Sequence, residues 1–318
     1  MNIGGFFELE LNKGNNEYHP EAIKLSTGRA CISYILKETK CQKIYVPFYC
    51  CDALFEPMIE NNVEFEFYPL SENLELIKDI FLKEGEFLMY CDFFGIKSNY
   101  AKQLHSIYKE KLILDETHSF FKAGAIANFS FTSARKYFGV PDGAFLLSSE
   151  PLGKNNFPRF NDISVQHLVD RLVGKQNIAF KEYQEYESSL GSSIYAMSIV
   201  SELLLSNISF EEVRNTRNKN FQFYLQKFSS INQLDVENSK DCFCYPLLLN
   251  KRIDKKELYK CGLFVPSLWN DVLTRKNADD FPLESKFSAE ILPLPIDHRY
   301  TPKDLDILVE KIFQLYDR

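Results

Sequence analysis

The stretch FSFTSARKYFGVPDG, residues 129–143, begins like a buried strand and ends in a turn that carries a glycine. Its opening residues alternate aromatic and small hydroxyl side chains, a composition compatible with a strand. Lys136 follows directly, and Gly143 stands seven residues later. A lysine placed at random is usually solvated on the surface, so Lys136 is either such a residue or one buried for chemistry at the end of a strand.

The sequence around this stretch alternates short apolar runs with longer segments of helical periodicity. The apolar runs are KIYVPFY, VEFEFYPL, FLMYCDFFG, KLILDETH, ANFSFTS and GAFLLSS. Several are apolar throughout, as expected for strands covered on both faces. Segments such as DALFEPMIENN and YAKQLHSIYKE space their apolar residues as helices do. The alternation predicts an α/β domain with a mostly parallel sheet and helices on both faces.

The second half of the chain has a different pattern. Residues 162–227 are expected to be mostly helical, with one break at SSLGSS. Short strands and helices follow, in CFCYPLLL, DKKELYKCG, LFVPSLW and ILPLPI, and the last helix is predicted to open with Pro302 and Asp304. We therefore predict a large domain over residues 1–236 and a small C-terminal α+β domain over residues 237–318.

Composition excludes several classes of protein. The net charge of −7 argues against a surface that binds nucleic acid or anionic membrane. No apolar run approaches the roughly 20 residues needed to span a bilayer, and the N-terminal residues do not resemble a signal peptide. The eight cysteines include no C-x-x-C pair, which favours reduced thiols and a cytoplasmic location. The five histidines are dispersed, so we expect no metal site.

Polar residues cluster where the predicted strands end. Asp115 and His118 follow a very apolar run, and Ser130 and Ser133 precede Lys136. Because the carboxyl ends of parallel strands share one edge of a sheet, a ligand site is expected there. Each residue also has an ordinary interpretation: the carboxylate as a cap for the next turn, and the hydroxyls as strand and turn residues.

The segment STGRA adds a candidate anion site. It stands before a helix-patterned run, and the free N–H groups of a helix start attract anions. Gly28 would let the backbone approach a ligand closely, and Arg29 could add further donors. A plain helix cap with a surface arginine is the alternative.

Four motifs, taken in their order along the chain, resemble those of the DegT/DnrJ family of PLP-dependent sugar aminotransferases: STGRA, KIYVPFY, DETH and SFTSARK. The family pattern runs S-G-T-A-A-L, V-P-x-x-T, D-x-x-H or D-x-x-Q, then S-F-x-x-x-K and a glycine-rich turn. RNTRNKNFQFYLQKF is similar to the family's interdomain helix, and LPLPIDHRYTPKDLDILVEKIF to its closing segment. The resemblance covers most of the chain and implies the fold type I architecture with pyridoxal 5'-phosphate as cofactor.

The resemblance also implies a role for each site residue. Lys136 would bond to the cofactor's aldehyde and move a proton between substrate and cofactor. Asp115 would keep the pyridine nitrogen protonated, and His118 would lie near the phenolic oxygen. The phosphate would rest on the start of the first helix, at Thr27, Gly28, Arg29 and Ala30. Either Ser133 or Ser130 would add a hydroxyl, and Tyr49, or as second candidate Cys51, would cover one face of the ring.

The function implied is amination of a keto-sugar, expected to be nucleotide-linked, with an amino acid such as glutamate as donor, by a cytoplasmic homodimer with a shared active site. The family's N-Y-R-M-like segment is represented here by SSIYAMS, which lacks the arginine. That difference motivates a second hypothesis, PLP chemistry on a small amino acid or amine. A PLP-binding sensor or scaffold without catalysis is the third.

Overall fold

The computed structural model of the protein describes residues 5–150, 152–153 and 156–317. In this part of the chain, nine strands form two sheets: β1 (Ile23–Leu25), β2 (Lys43–Pro47), β3 (Glu64–Tyr68), β4 (Glu86–Cys91), β5 (Leu112–Asp115), β6 (Phe129–Ser133), β7 (Ala144–Ser148), β8 (Tyr245–Leu247) and β9 (Leu292–Leu294). The first seven make one sheet, in the order β1-β7-β6-β5-β4-β2-β3. Five consecutive strands of it, from β6 to β3, are parallel, and β7 is antiparallel to both neighbours.

The residues that the structure describes also form ten α-helices: α1 (Gly28–Glu38), α2 (Phe55–Glu60), α3 (Ser98–Tyr108), α4 (Gln166–Leu172), α5 (Gln176–Ser189), α6 (Ile199–Ser206), α7 (Phe210–Phe228), α8 (Lys255–Tyr259), α9 (Pro282–Glu290) and α10 (Pro302–Tyr316). Within the described residues, no helix is both long enough and apolar enough to cross a membrane.

The large sheet is buried on both faces, which confirms the interpretation of its apolar runs. Strand β5 is buried over its whole length, and β4 is buried from Phe87 onward. Side chains alternate across a strand, so Leu112 and Leu114 join one apolar cluster while Ile113 joins another on the opposite face. Helix α1 covers the second face through residues such as Ile32 and Ile35.

The C-terminal part carries the two-stranded antiparallel sheet of β8 and β9. The last helix begins as predicted, with Pro302 in its first turn and a capping box between Thr301 and Asp304. The expectation of regular structure in LFVPSLW was wrong, because residues 263–269 form neither strand nor helix. One apolar cluster joins residues before and after position 237, and the domain boundary there stays a prediction.

Candidate active site

The lysine singled out by the sequence lies at the carboxyl edge of the large sheet. Strands β4, β5 and β6 are parallel neighbours, so Cys91, Asp115 and Ser133 end at the same edge. Lys136 closes a short 3-10 turn directly after β6, and its side chain is exposed and lines a cleft. Among the described residues it has neither a hydrogen-bond nor an ion-pair partner, so its amine is available to a ligand.

Asp115 lies at the end of β5 as a buried carboxylate. Its Oδ1 accepts a hydrogen bond from the Thr117 N–H at 2.9 Å, and Cys91 Sγ lies 3.8 Å from Oδ2. Burial raises the pKa of Asp115, while the Thr117 hydrogen bonds and the nearby charge of Lys136 oppose that rise. A carboxylate held this way lacks a cationic partner of its own and can pair with a protonated ring nitrogen.

His118 is buried between aromatic residues from distant parts of the sequence. Its ring is nearly parallel to those of Phe243, with centroids 4.6 Å apart, and Trp269, at 5.4 Å. Burial and the charge of Lys136 lower the pKa of His118 to about 3, so the imidazole is neutral. Because Nδ1 accepts the Phe94 N–H at 3.1 Å, the ring proton belongs on Nε2, which makes His118 a hydrogen-bond donor at that atom.

The start of α1 lies at the same edge of the sheet. Thr27 is its N-cap: Oγ1 accepts the Ala30 N–H at 3.0 Å and donates to the Gly191 carbonyl at 3.1 Å. Ala30 therefore has its donor engaged, whereas no hydrogen bond within the described residues uses the N–H groups of Gly28 and Arg29. The Arg29 side chain is paired with Glu56 at 2.8 Å, which reduces the charge that it can offer an anion.

The two serine candidates lie in different surroundings. Ser130 is fully buried inside β6, and its Oγ has no hydrogen-bond partner among the described residues. Ser133 is the last residue of β6, is partly exposed, and lies 3.5 Å from the Gly143 carbonyl through its Oγ. The structure therefore brings Ser133, and not Ser130, to the edge where Lys136 lies.

The two candidates for the ring face are separated in the same way. Tyr49 is buried in the core, with its ring against those of Phe93 and Trp269. Cys51 is only partly buried, and although burial raises the pKa of its thiol, the charge of Lys136 opposes the shift. Cys51 is thus the candidate that is near enough to feel the charge of Lys136, whereas Tyr49 is a core residue.

Sequence reasoning missed an ion pair next to the lysine. Arg135 Nη2 lies 2.7 Å from Glu187 Oε2 of α5, and the arginine is also near the Tyr186 ring. Burial opposes ionisation of Glu187, but Arg135 and then Lys136 hold its pKa below the usual value. Arg135 could have been suspected from its place beside Lys136. Its partner, 52 positions away in the sequence, gave no signal.

The turn after the lysine is anchored to α6 by a buried carboxylate. Asp142 Oδ2 accepts the Ser198 N–H at 2.8 Å, and Oδ1 accepts the hydroxyls of Ser198 and Ser201, both at 2.5 Å. Gly143 follows with a φ of +122°, a conformation that favours glycine. These contacts fix the C-terminal end of the segment that carries Lys136.

Comparisons with known proteins identify the fold. No family model matches the chain, and no curated protein is similar to it in sequence. Solved structures do match: the sugar aminotransferase CalS13 from Micromonospora echinospora has a TM-score of 0.64 at 14% identity, covering 92% of this chain and 87% of its own. A DegT DnrJ EryC1 StrS aminotransferase from Brucella abortus gives 0.64 at 15% identity, covering 93% and 86%.

A third match, DesI in the presence of its TDP-sugar product, has a TM-score of 0.64 at 12% identity and covers 92% of this chain and 79% of its own. Together with the strand order, these matches confirm the predicted fold class. The chain has the fold of the PLP-dependent aminotransferases, with a mostly parallel seven-stranded sheet.

Proposed function

We propose that this protein is a PLP-dependent aminotransferase of the DegT/DnrJ family, which converts a keto-sugar into an amino sugar. The observation that carries the proposal is the meeting of Lys136, Asp115 and His118 at one edge of this fold, close to the free N–H groups of α1. The cofactor is supported by a fourth match with 12% identity, the B. subtilis protein ntda with bound PMP.

The residues present fit this cofactor. Asp115 offers a buried carboxylate for the pyridine nitrogen, and His118 offers its Nε2 proton to the phenolic oxygen. The N–H groups of Gly28 and Arg29, with the Ser133 hydroxyl, are suited to the phosphate. When bound, pyridoxal phosphate supplies an electron sink that stabilises negative charge on the substrate carbon.

The chain's own residues then supply binding and proton transfer. Lys136 lines the cleft and its amine has no partner among the described residues, so its Nζ could accept a proton from the substrate carbon and return it to another position. Asp115 would keep the ring nitrogen of a bound cofactor protonated, because a nearby opposite charge favours the charged form. His118 stays neutral at physiological pH and acts as a fixed donor.

The substrates belong to the same proposal. A nucleotide-linked keto-sugar is supported by the TDP-sugar product present with DesI, and an amino acid such as glutamate would donate the amino group. We further propose a homodimer with a shared active site in the cytoplasm. The partly open surroundings of Lys136 are compatible with a second subunit that covers the site.

Covalent trapping tests the proposal directly. After incubation with PLP and borohydride reduction, peptide mass spectrometry should find the pyridoxyl group on Lys136. Lys136→Ala should lose the adduct and the turnover, whereas Lys102→Ala, an exposed lysine on α3, should keep both. An adduct on another residue would contradict the assignment.

A substrate panel separates the competing functions. Transfer of nitrogen to nucleotide-linked keto-sugars supports the proposal, and turnover of free amino acids or amines alone would replace it with small-molecule PLP chemistry. Cofactor binding without release of a keto acid from any donor would indicate a non-catalytic sensor or scaffold.

A further inference from the structure

One wall of the cleft that contains Lys136 comes from an irregular segment between α8 and α9. We call this segment, residues 263–281, the strap, and its residues 263–266 line the cleft. The structure describes every residue of the strap, and apart from two short 3-10 turns they form neither strand nor helix. Because the strap belongs to neither sheet, its position depends on side-chain contacts with the rest of the fold.

The strap carries Trp269, which covers one face of His118. The two rings lie at 14° to each other, with their centroids 5.4 Å apart. The Trp269 ring also packs edge-on against the rings of Tyr49 and Phe93, with centroids 4.6 and 5.9 Å away. His118 is only 3% exposed, and part of that burial comes from a side chain of the strap. Displacement of the strap would therefore expose the imidazole to water.

Arg275 attaches the strap to the residues that follow β2. Its guanidinium donates hydrogen bonds to the carbonyl oxygens of Phe48 and Cys50, the latter at 2.8 Å. Nε and Nη2 donate to Asp52 Oδ1 at 3.0 and 2.5 Å, and the Asp52 N–H donates to Asp271 Oδ2 of the strap at 3.2 Å. Only 8% of the Arg275 side chain is exposed. Charge-assisted hydrogen bonds from a guanidinium in such surroundings are strong, and its planar fork fixes their direction.

Aromatic rings surround the same guanidinium. Its central carbon lies 4.9 Å from the ring centroids of Phe48 and Phe55 and 5.3 Å from that of Phe67. The face of an aromatic ring attracts a cation, so these rings favour an arginine over a neutral side chain. At the end of the strap, Phe281 stacks on Phe48 with centroids 3.9 Å apart. The strap is therefore held at this end by one cation and one ring.

Building on the proposed function, we infer that Arg275 is a positioning residue of the active site, which holds the strap closed over His118. Through Arg275 the strap is joined to residues 48–52, the segment that contains Cys51, the candidate for the ring face. One side chain thus fixes two parts of the site. Hydrolysis of PLP from Lys136 needs water, so a closed strap should also slow the release of the cofactor.

The test compares Arg275→Gln and Arg275→Lys with Lys276→Gln, a matched control at the next position of the strap, which is exposed. Arg275→Gln removes the cation, whereas Arg275→Lys keeps the cation and loses the planar fork.

Three rates report how often the strap opens. The first is the hydrogen exchange of peptides from the strap, and the second is the acylation of His118 by diethyl pyrocarbonate, both followed by mass spectrometry. The third is the release of PLP from the loaded protein, followed by its absorbance. The first two are measured on the full chain and do not require bound PLP.

Loss of the charge-assisted hydrogen bonds should increase the open population of the strap about 10- to 100-fold in Arg275→Gln, and all three rates should rise by a similar factor. Arg275→Lys should lie between Arg275→Gln and the unmodified protein. Should Arg275→Gln fail to fold, the rise must appear in Arg275→Lys.

Rates equal to those of Lys276→Gln would overturn the inference, and so would an increase in exchange spread over the whole chain. Faster exchange in the strap with unchanged acylation of His118 or unchanged PLP release would overturn it as well, because the strap would then move without opening the site. Failure of the proposed function would appear separately, as absence of the pyridoxyl adduct on Lys136 in the unmodified protein.

Discussion

Gly95 offers a quantitative test of how the site is built. It lies just after β4 with a φ of +82°, and a Cβ atom added to it would stand 2.4 Å from the His118 carbonyl oxygen and 2.9 Å from Cys242 Cα. Gly174 has a φ of +86° and no atom within 4 Å of the same position. Both Gly95→Ala and Gly174→Ala therefore place an alanine in a left-handed backbone conformation, but only Gly95→Ala also creates a steric clash.

The magnitudes follow from these distances. A left-handed conformation costs a non-glycine residue about 1–2 kcal/mol, and a clash with two backbone atoms adds about 3 kcal/mol. For 318 residues the entropy of unfolding is roughly 0.7 kcal/mol per kelvin. Gly95→Ala should thus lower the melting temperature by about 6 °C, and Gly174→Ala by about 2 °C.

Thermal unfolding followed by circular dichroism gives both values, and a PLP titration gives a second readout. Because the clash pushes on the His118 backbone, Gly95→Ala should also weaken cofactor binding, whereas Gly174→Ala should not. If the two variants melt within about one degree of each other, the close packing described around His118 is wrong.

Three further predictions follow. Burial raises the pKa of Glu116 from 4.5 to about 8. Between these two values the folded protein keeps a proton on Glu116 that the unfolded chain releases. The free energy of unfolding should therefore fall as the pH rises from about 5 to 8, by up to roughly 1.4 kcal/mol per pH unit. Urea unfolding measured across that pH range should show that the free energy of unfolding depends less on pH in Glu116→Gln than in the unmodified protein. An identical pH dependence in both proteins would refute this prediction. Asp142→Ala leaves the Ser198 donors unpaired and should cost about 2–4 kcal/mol, measured by the same method; a loss under 1 kcal/mol would contradict it. Trp269, the only tryptophan, lies 5.4 Å from the His118 ring, so added PLP should quench its fluorescence, and unchanged emission would argue against cofactor binding there.

The central sheet could be predicted because its strands are apolar on both faces. Such runs stand out from the helical segments between them, as with LIL before Asp115. The site residues at strand ends followed from the same argument, since parallel strands deliver their ends to one edge. The three-residue β1 was missed because so short a strand carries too little pattern to detect.

The choice between neighbouring candidates needed coordinates. Ser130 and Ser133 are three positions apart, so side-chain alternation puts them on opposite faces, but only the structure shows that Ser130 is buried and Ser133 partly exposed. Tyr49 and Cys51 follow the end of β2, where the alternation no longer applies. Contacts between residues far apart in the sequence, such as that between the Trp269 and His118 rings, cannot be predicted from the residues around either position.

The charges around the site show how an acidic protein can hold anionic ligands. Arg29 and Arg135 are each paired with a glutamate. The first pair joins α1 to Glu56, and the second joins the turn before Lys136 to Glu187 of α5. Lys136, Arg171 and Arg217 have no carboxylate partner among the described residues, and all three line the same cleft. Paired cations stabilise the fold, whereas unpaired cations are available to bind ligands. On this argument the unpaired cations of the cleft are where we expect an anionic ligand to bind.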